Sequence, residues 1–283
     1  MSHSPLPSLK SIIQKYDLTA RKSLGQNFIL DSNITDKIVQ ESGDLKGLNI
    51  VEIGAGPGGL TRSLLKSEAL TVYVVEKDPR CVSALQELKS IYGERLVILA
   101  EDATRLCLPD IIPAPRAIIA NLPYNIGTHL LLGWLEEIAQ GSSAYRYMTL
   151  MFQKEVAQRL YAECNTSQYG RISVITQWLC QAYDCFDLPP SAFSPPPKVT
   201  STVVKLTPLV TPLYEADKTA LEKTLAAAFG NRRKMLRSAL KTATPETEAW
   251  LERAQIAGER RAETLSVREF CQLARALALL EKR

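Results

Sequence analysis

The chain has 283 residues, of which 46% are hydrophobic and 23% charged, and its formal net charge at pH 7 is +4. This length can bury one large core and a smaller one, and the apolar content excludes an intrinsically disordered protein. Because no apolar run approaches the roughly 18 residues that span a bilayer, and the first residues lack a secretory signal, we expect a cytoplasmic protein without membrane contact.

Residues 48–152 alternate short apolar runs with helical patterns. Runs rich in Val, Ile and Leu predict the strands Leu48–Ile53, Leu70–Val75, Arg95–Ala100, Arg116–Ala120 and Tyr147–Phe152. Apolar residues at helical spacing predict the intervening helices Leu60–Ser67, Pro79–Ile91 and Thr128–Ala139. Strands that are apolar on both faces and alternate with helices indicate an α/β fold with a parallel sheet covered on both sides.

The chain after residue 152 predicts a sheet edge followed by a helical domain. Helices are predicted over Gln153–Glu163 and Arg171–Gln181, and strands over Ala182–Leu188 and Thr202–Leu206. The segment between these strands is too rich in proline for a helix or central strand, so the strands can pair as an edge hairpin. Beyond a linker at 208–212, the predicted helices are Lys218–Phe229, Lys234–Thr242, Glu246–Ala254 and Val267–Leu280. We therefore expect one domain over residues 1–208 and a small all-α domain over 209–283.

A glycine-rich loop follows the first strand and opens a helix. Residues Gly54–Gly59 fit the pattern G-x-G-x-x-G. Glycines permit a tight turn and let backbone N–H groups approach a ligand at the helix N-terminus. Glu76 ends the second strand about 20 residues later, where a carboxylate can accept hydrogen bonds from both ribose hydroxyls. The pattern predicts a nucleotide-like cofactor, either a nicotinamide dinucleotide or another, with a purely structural turn as the alternative.

Two further segments favour a cofactor other than a nicotinamide. Asp102 follows the third strand and can accept from an exocyclic adenine amine, although a loop acid or helix cap is the alternative. Asn121-Leu-Pro-Tyr124 follows the fourth strand, at the edge where ligands bind in open α/β sheets. The Asn121 side-chain oxygen and the Leu122 carbonyl can accept both hydrogens of an amine, and Tyr124 offers a stacking face. This segment predicts methylation of an exocyclic amine, with a structural turn and a core tyrosine as the alternative.

The whole positive excess lies in the last quarter of the chain. Residues 1–208 carry as many acidic as basic side chains, whereas residues 209–283 carry 14 basic and 10 acidic ones. The basic cluster there comprises Arg232, Arg233, Lys234, Arg237 and Lys241. A second basic group, before the first predicted strand, comprises Lys10, Lys15, Arg21 and Lys22. Such patches indicate a polyanionic partner, with a solvated helix face as the alternative.

Cysteine and histidine usage argues against metal and thiol chemistry. The six cysteines are scattered without a Cys-x-x-Cys pair, a pattern typical of free thiols in a reducing compartment. The two histidines, His3 and His129, are too few for a histidine-based metal site and weaken any serine–histidine or cysteine–histidine nucleophile. We therefore expect no metal cofactor.

At these motifs the sequence resembles the ribosomal RNA adenine N6-dimethyltransferases, and among them the small-subunit (16S) enzymes of the KsgA/RsmA type. The matching segments lie in family order and cover essentially the whole chain. They are Leu24-Gly-Gln-Asn-Phe28, Glu52-Ile-Gly-Ala-Gly56, Glu76, Glu101-Asp-Ala103, Asn121-Leu-Pro-Tyr-Asn-Ile126 and Phe193-Ser-Pro-Pro-Pro-Lys-Val199. Two departures are mild: Ile29 replaces the usual Leu, and the Gly58-Gly59 pair enriches the loop in glycine.

The resemblance implies a Rossmann-like class I methyltransferase fold with a seven-stranded sheet, an edge hairpin and a small C-terminal all-α domain. It implies S-adenosyl-L-methionine as cofactor and S-adenosyl-L-homocysteine as product. The implied cofactor contacts are Asn27, Ile29, Gly54, Gly56, Glu76, Asp102 and Asn121. The implied catalytic residues are Asn121, Leu122, Tyr124 and Phe193, with Phe193 closing over the target adenine opposite Tyr124. Together with the charge pattern, it predicts RNA contacts at Lys22, Arg232, Arg233, Lys234 and Arg237.

The implied function is dimethylation of the N6 amine of two adjacent adenines in a 16S rRNA hairpin, during small-subunit biogenesis. The partner is then the immature small subunit, and we expect a monomer. One alternative is a 23S rRNA methylase of the macrolide-resistance type, against which the Phe193 loop and the prolonged basic tail argue. Another is a non-catalytic nucleic-acid-binding assembly factor on the same fold, against which Asn121 and Tyr124 argue. A NAD-dependent dehydrogenase is a remote third.

Overall fold

The computed structural model describes residues 6–19, 25–141 and 144–281. Within them the strands are β1 (Phe28–Ile29), β2 (Asn49–Ile53), β3 (Thr71–Val75), β4 (Leu96–Leu99), β5 (Arg116–Asn121), β6 (Met148–Gln153), β7 (Cys180–Leu188), β8 (Phe193–Ser194) and β9 (Ser201–Pro208). The helices are α1 (Leu9–Lys15), α2 (Ser32–Ser42), α3 (Gly59–Lys66), α4 (Pro79–Tyr92), α5 (Leu108–Ile111), α6 (Gly127–Gln140), α7 (Lys154–Leu160), α8 (Arg171–Leu179), α9 (Lys218–Gly230), α10 (Leu236–Ala239), α11 (Thr247–Ala254) and α12 (Val267–Leu280). None of the helices in these residues is long and apolar enough to cross a membrane.

Seven strands form one sheet in the order β4-β3-β2-β5-β6-β9-β7. β2 pairs in parallel with β3 and β5, and β5 pairs in parallel with β6, whereas β9 runs antiparallel to β6. Every residue of β2 is buried, as expected of a strand covered on both faces. The α/β fold, the seven-stranded sheet and the placement of the last two strands at one edge are confirmed.

Three predicted helices differ from the structure by more than one residue at an end. The helix predicted over Gln153–Glu163 is α7, which ends at Leu160. The helix predicted over Arg171–Gln181 ends at Leu179, because β7 begins at the next residue and extends the edge strand. The helix predicted over Lys234–Thr242 is shorter, since α10 begins at Leu236 and a 3₁₀ turn follows it. Met235 instead forms a β-bridge with Arg261, so extended backbone replaces the expected first turn.

No helix or strand is predicted from the sequence before residue 48, although α1, β1 and α2 lie there. Both helices carry standard N-caps: the Ser8 hydroxyl accepts from the Ser11 N–H, and the Asp31 carboxylate accepts from the Asn33 N–H. Ser8 and Asp31 are therefore sequence signals for the start of a helix, although the spacing of apolar residues alone does not predict these helices. β1 pairs with β8 in a separate two-stranded ladder, which is too short for periodicity to predict.

The chain divides into two compact units, residues 1–157 with 183–208 and residues 158–182 with 209–283. The second unit is helical around a fully buried Trp250, whose Nε1 donates to the Leu273 carbonyl at 2.7 Å. α8 packs against α9 and α12 in this unit. Residues 158–182, expected in the first domain, therefore group with the C-terminal helices.

Candidate active site

A cleft of about 890 Å³ opens where β2, β3, β4 and β5 end. Its lining includes every predicted cofactor contact, namely Asn27, Ile29, Gly54, Gly56, Glu76, Asp102 and Asn121. Leu122 and Tyr124 line it as well. The structure therefore brings the predicted cofactor contacts and the predicted amine acceptors to a single cavity.

The glycine loop turns sharply between β2 and α3. Gly56 has a φ of 56°, in the left-handed region that residues with side chains rarely adopt. A Cβ at Gly56 would lie 2.7 Å from the ring of Phe28, so this ring packs directly on the loop. Position 56 therefore needs glycine both for its backbone conformation and for the close approach of Phe28.

Glu76 is buried just after β3, and both of its carboxylate oxygens accept hydrogen bonds. Oε2 accepts from the Gly56 N–H at 2.9 Å, and Oε1 accepts from the Asp78 N–H at 2.8 Å. Burial raises the pKa of this carboxyl, and the two N–H donors oppose that rise. Since each oxygen has further lone-pair capacity, the carboxylate can accept two ribose hydroxyls while it holds the glycine loop.

Asp102 follows β4 and caps a short 3₁₀ turn. Its Oδ1 accepts from the Thr104 N–H at 3.0 Å and from the Thr104 hydroxyl at 2.8 Å, and the Lys77 ammonium lies 3.3 Å from Oδ2. These hydrogen bonds, the backbone one above all, hold the pKa of Asp102 below its usual value. Asp102 is therefore a helix cap, which is the alternative role expected from the sequence. It is also an ionised acceptor that lines the cleft.

Asn121 is the last residue of β5, and its side chain is held by the segment before β1. Nδ2 donates to the carbonyl oxygen of Asn27 at 3.0 Å. This bond fixes the orientation of the amide, whose Oδ1 is the atom that can accept from a ligand. Three residues further on, the Tyr124 hydroxyl lies 2.5 Å from the Ser201 hydroxyl, and burial raises the tyrosine pKa. Tyr124 is therefore a neutral ring held at its outer end.

Phe193 lies outside the set of described residues that line the cleft. In the ladder of β1 and β8, Phe193 is opposite Ile29, and Phe28 is opposite Ser194. Because side chains alternate along a strand, the Phe193 and Ile29 side chains share the face away from Phe28. Both belong to the hydrophobic core of the first unit, and each is 5% exposed. The structure brings Asn121, Leu122 and Tyr124 together, but it does not bring the Phe193 ring to them.

The predicted RNA contacts differ in their surroundings. Arg232 is anchored within the second unit, because its guanidinium donates to the carbonyls of Thr166 and Ser167 at 3.0 and 2.8 Å. The exposed members of the cluster are Arg233, Lys234 and Arg237. Lys22 lies outside the described residues. Arg232 therefore has a structural role of its own. Arg233 and Lys234 are exposed, and the exposed Arg237 forms a surface ion pair with Glu259 at 3.2 Å.

Glu52 is a cleft-lining residue that the sequence pattern does not predict as part of the site. It is 2% exposed in β2, and its Oε2 accepts from the Thr61 hydroxyl at 2.6 Å. Burial raises the pKa of Glu52 to about 8, and the nearby Glu76 carboxylate adds to the rise. The side chain is therefore protonated at neutral pH. The sequence feature that could have identified Glu52 as part of the site is a carboxylate inside an otherwise apolar strand.

We expect Glu52→Gln to change how stability depends on pH. In the unfolded chain Glu52 ionises near pH 4.5, whereas in the folded chain it stays protonated up to about pH 8. The free energy of unfolding of the wild type should therefore decrease as the pH rises from about 4.5 to about 8, by on the order of a few kcal/mol. The neutral glutamine lacks this contribution, so its curve should be flatter. Denaturant unfolding from pH 5 to 9 measures both curves, and parallel curves would contradict the assignment.

Comparisons with known proteins agree with this geometry. A family model described as ribosomal RNA adenine dimethylase matches residues 17–279. The ribosomal RNA small subunit methyltransferase A of Allorhizobium ampelinum is 50% identical over 273 residues, which cover 96% of this chain and 98% of that protein. The protein of the same name from a Ruegeria species is 47% identical over 272 residues, covering 96% and 97%.

Solved structures show the same fold at lower identity. A dimethyladenosine transferase from Plasmodium falciparum matches with a TM-score of 0.71 and 24% identity, covering 89% of this chain and 96% of that one. The 23S rRNA methyltransferase ErmE matches with a TM-score of 0.63 and 24% identity, covering 89% and 100%. These two structures support the methyltransferase fold alone. Given the family model and the relatives near 50% identity, the chain belongs to the ribosomal RNA adenine dimethylase family of methyltransferases.

Proposed function

We propose that this protein transfers methyl groups from S-adenosyl-L-methionine to the N6 amines of two adjacent adenines in a 16S rRNA hairpin, within the immature small subunit. The observation that carries this proposal is the shared cleft. Glu76 and the glycine loop line the same cavity as Asn121, Leu122 and Tyr124. A cofactor site and an amine site in one cavity meet the geometric requirement for direct transfer between two bound reactants.

The residues of the cleft fit a nucleoside cofactor. Glu76 offers buried carboxylate oxygens to the ribose, and Asp102 is an ionised acceptor for an exocyclic adenine amine. S-adenosyl-L-methionine supplies an already activated sulfonium methyl when it is bound, so the protein needs mainly to position the target amine. This division of tasks is consistent with a site that holds carboxylates and amides rather than a histidine base.

The target amine is positioned by the turn after β5. Asn121 Oδ1 and the Leu122 carbonyl accept its two N–H groups, which favours a pyramidal and more nucleophilic nitrogen. The Tyr124 ring supports the base by stacking, worth about 1–3 kcal/mol. That contribution offsets part of the few kcal/mol needed to remove a base from its helical stack. The nitrogen becomes acidic once methylated, so these residues suffice without a strong base.

Two other functions receive less support. The relatives near 50% identity carry a small-subunit name, whereas the 23S enzyme ErmE is 24% identical and informs on the fold alone. This difference favours 16S rRNA as the substrate. A non-catalytic assembly factor has no need for Asn121 and Tyr124 in the cavity that Glu76 lines. The presence of all three favours an active enzyme.

The proposal is tested on ribosomal subunits from cells that lack the protein. Purified protein and isotopically labelled cofactor are added to small and large subunits separately, and the methylated nucleosides are quantified by mass spectrometry. We expect dimethyladenosine in small-subunit RNA alone. Methylation of large-subunit RNA would support the 23S alternative. Cofactor binding without methylation of either RNA would support the assembly factor.

Phe193→Leu tests the stacking role that the family resemblance assigns to this residue. Leucine preserves most of the buried volume, so we expect the free energy of unfolding to fall by about 1 kcal/mol only. If the ring stacks on the target adenine, methylation at low RNA concentration should fall about tenfold or more. Val203→Ala perturbs the same core and leaves the ring in place. An equal loss of activity in that variant would assign the effect to packing.

Changing Arg233, Lys234 and Arg237 together to Ala is expected to weaken small-subunit binding and leave cofactor affinity intact. If each side chain neutralises one phosphate, the slope of log affinity against log salt should fall by about 0.7–0.9 per residue, or roughly 2 to 3 in total. Binding measured at several salt concentrations gives this slope. The control is Arg253→Ala with Arg268→Ala, which removes two exposed charges elsewhere in the second unit. Equal slopes for the triple variant and the wild type would mean that the cluster is only a solvated face.

A further inference from the structure

Next to the cleft lies a smaller groove, to which the chemistry above assigns no role. The two share Leu122, Pro123 and Tyr124, and the far wall of the groove is the end of β6 and the first turn of α7. The groove is the smaller of the two, with about 210 Å³ of space that is partly open to solvent.

Gln153 lines this groove together with Tyr124. Gln153 is the last residue of β6, and Ser201, the first residue of β9, lies directly opposite it. Opposite residues of an antiparallel pair project to the same face, with Cβ atoms about 4.5–5.5 Å apart. The Ser201 hydroxyl is also 2.5 Å from the Tyr124 hydroxyl. The Gln153 amide therefore lies on the same side of the sheet as the outer end of the Tyr124 ring.

Gln153 also has the chemistry that a nucleobase requires. Among the described residues that line the groove, it carries the one side-chain amide, and apart from Tyr124 and Thr128 the others are apolar or glycine. Within the described part of the chain, this amide makes no hydrogen bond to another residue. An amide can donate and accept at once, and glutamine and asparagine are the side chains that most often pair with the edge of adenine.

We infer that Gln153 is a specificity-determining residue, which donates from Nε2 to one of the two ring nitrogens, N1 or N7, that flank the target amine of adenine. The inference rests on the proposed function, because it takes a base stacked on Tyr124 as its starting point. Of the two acceptors of the amine hydrogens, Asn121 lines the cleft, and Leu122 lines both the cleft and the groove. Gln153 then forms a hydrogen bond to a ring nitrogen beside the amine. Asn121 and Leu122 bind only the amine and do not recognise the ring.

The test combines protein variants with substrate analogues. Small subunits are reconstituted with rRNA that carries adenine, 1-deazaadenine or 7-deazaadenine at the target positions. Single-turnover methylation is then measured for the full-length wild type, Gln153→Ala and Gln153→Met, the last of which preserves side-chain length. We expect the wild type to lose about tenfold or more on one of the two analogues. Both variants should lose a similar factor on adenine and nothing further on that analogue, because the same bond is then already absent.

Two controls separate this inference from the function on which it rests. Gln140→Ala, an exposed position on α6 whose amide donates to Glu136, should leave the rate on adenine unchanged. Calorimetry should give the same cofactor affinity for the Gln153 variants and the wild type. If the wild type methylates no adenine substrate, the proposed function fails. If the wild type is active and the variants match it on adenine, or lose the same factor again on the analogue, the role of Gln153 is overturned.

Discussion

Replacing Asn121 by Ala is expected to lower the rate of methyl transfer by about 10²-fold or more, with little change in RNA affinity. The proposed hydrogen bond from the amine to Oδ1 matters most as the nitrogen approaches attack geometry, so its loss affects the chemical step more than binding. Single-turnover kinetics at saturating RNA and cofactor measures that step directly. A near-normal rate would remove Asn121 from the mechanism.

Asn121→Asp separates the two functions of this amide. The aspartate keeps an oxygen for the amine, but it cannot donate to the Asn27 carbonyl, which lies 3.0 Å from the amide nitrogen in the wild type. Two oxygens would then face each other, so we expect a large loss of rate here too. The matched control is Asn33→Ala, an exposed amide on α2 that donates to Asp31. Full activity of the aspartate variant would show that the acceptor alone is sufficient.

Glu76→Ala is expected to weaken cofactor binding by about 10²-fold. The ribose would lose two charge-assisted acceptors, each worth about 1.5–3 kcal/mol at most. The Gly56 N–H would lose its acceptor as well, so the glycine loop would be held less firmly. Calorimetric titration with S-adenosyl-L-homocysteine gives the dissociation constant without turnover. An unchanged constant would show that the ribose is bound elsewhere.

Glu101→Ala is the matched control, because it removes an exposed carboxylate from the lining of the same cleft. If both variants weakened binding equally, the effect would come from net charge rather than from hydrogen bonds to the ribose. Glu76→Gln is also expected to bind poorly. Its NH₂ group cannot accept from whichever backbone N–H it faces, that of Gly56 or that of Asp78.

The sequence predicts most of the sheet, because its central strands are buried on both faces and read as continuous apolar runs. The strand predicted over Leu48–Ile53 is β2 within one residue, and the helix predicted over Val267–Leu280 is α12. The features that the sequence does not reveal depend on contacts between segments that are far apart along the chain. No local pattern shows that residues 158–182 group with the C-terminal helices, since only the packing of α8 decides it.

The site is predictable where a polar residue follows a strand. Glu76, Asp102 and Asn121 stand at or just after the ends of β3, β4 and β5, and parallel strands bring such positions to one edge. The surroundings of Glu52 and Phe193 are not predictable in this way. The raised pKa of Glu52 follows from complete burial, and the direction of the Phe193 ring follows from its register with Ile29. Both are properties of the assembled core.

The pairing of β1 with β8 limits the length of the proline-rich loop that leads to it. Surface loops usually accept insertions and deletions, since their ends can be joined in many ways. Here Phe193 must meet Ile29, and the side chains of a strand reverse their faces with every shift of one residue. Deleting one residue between Pro189 and Ala192 would turn Phe193 toward the glycine-loop side and place a serine in the core. Natural variation in length should therefore be much rarer in this loop than in the linker at 208–212.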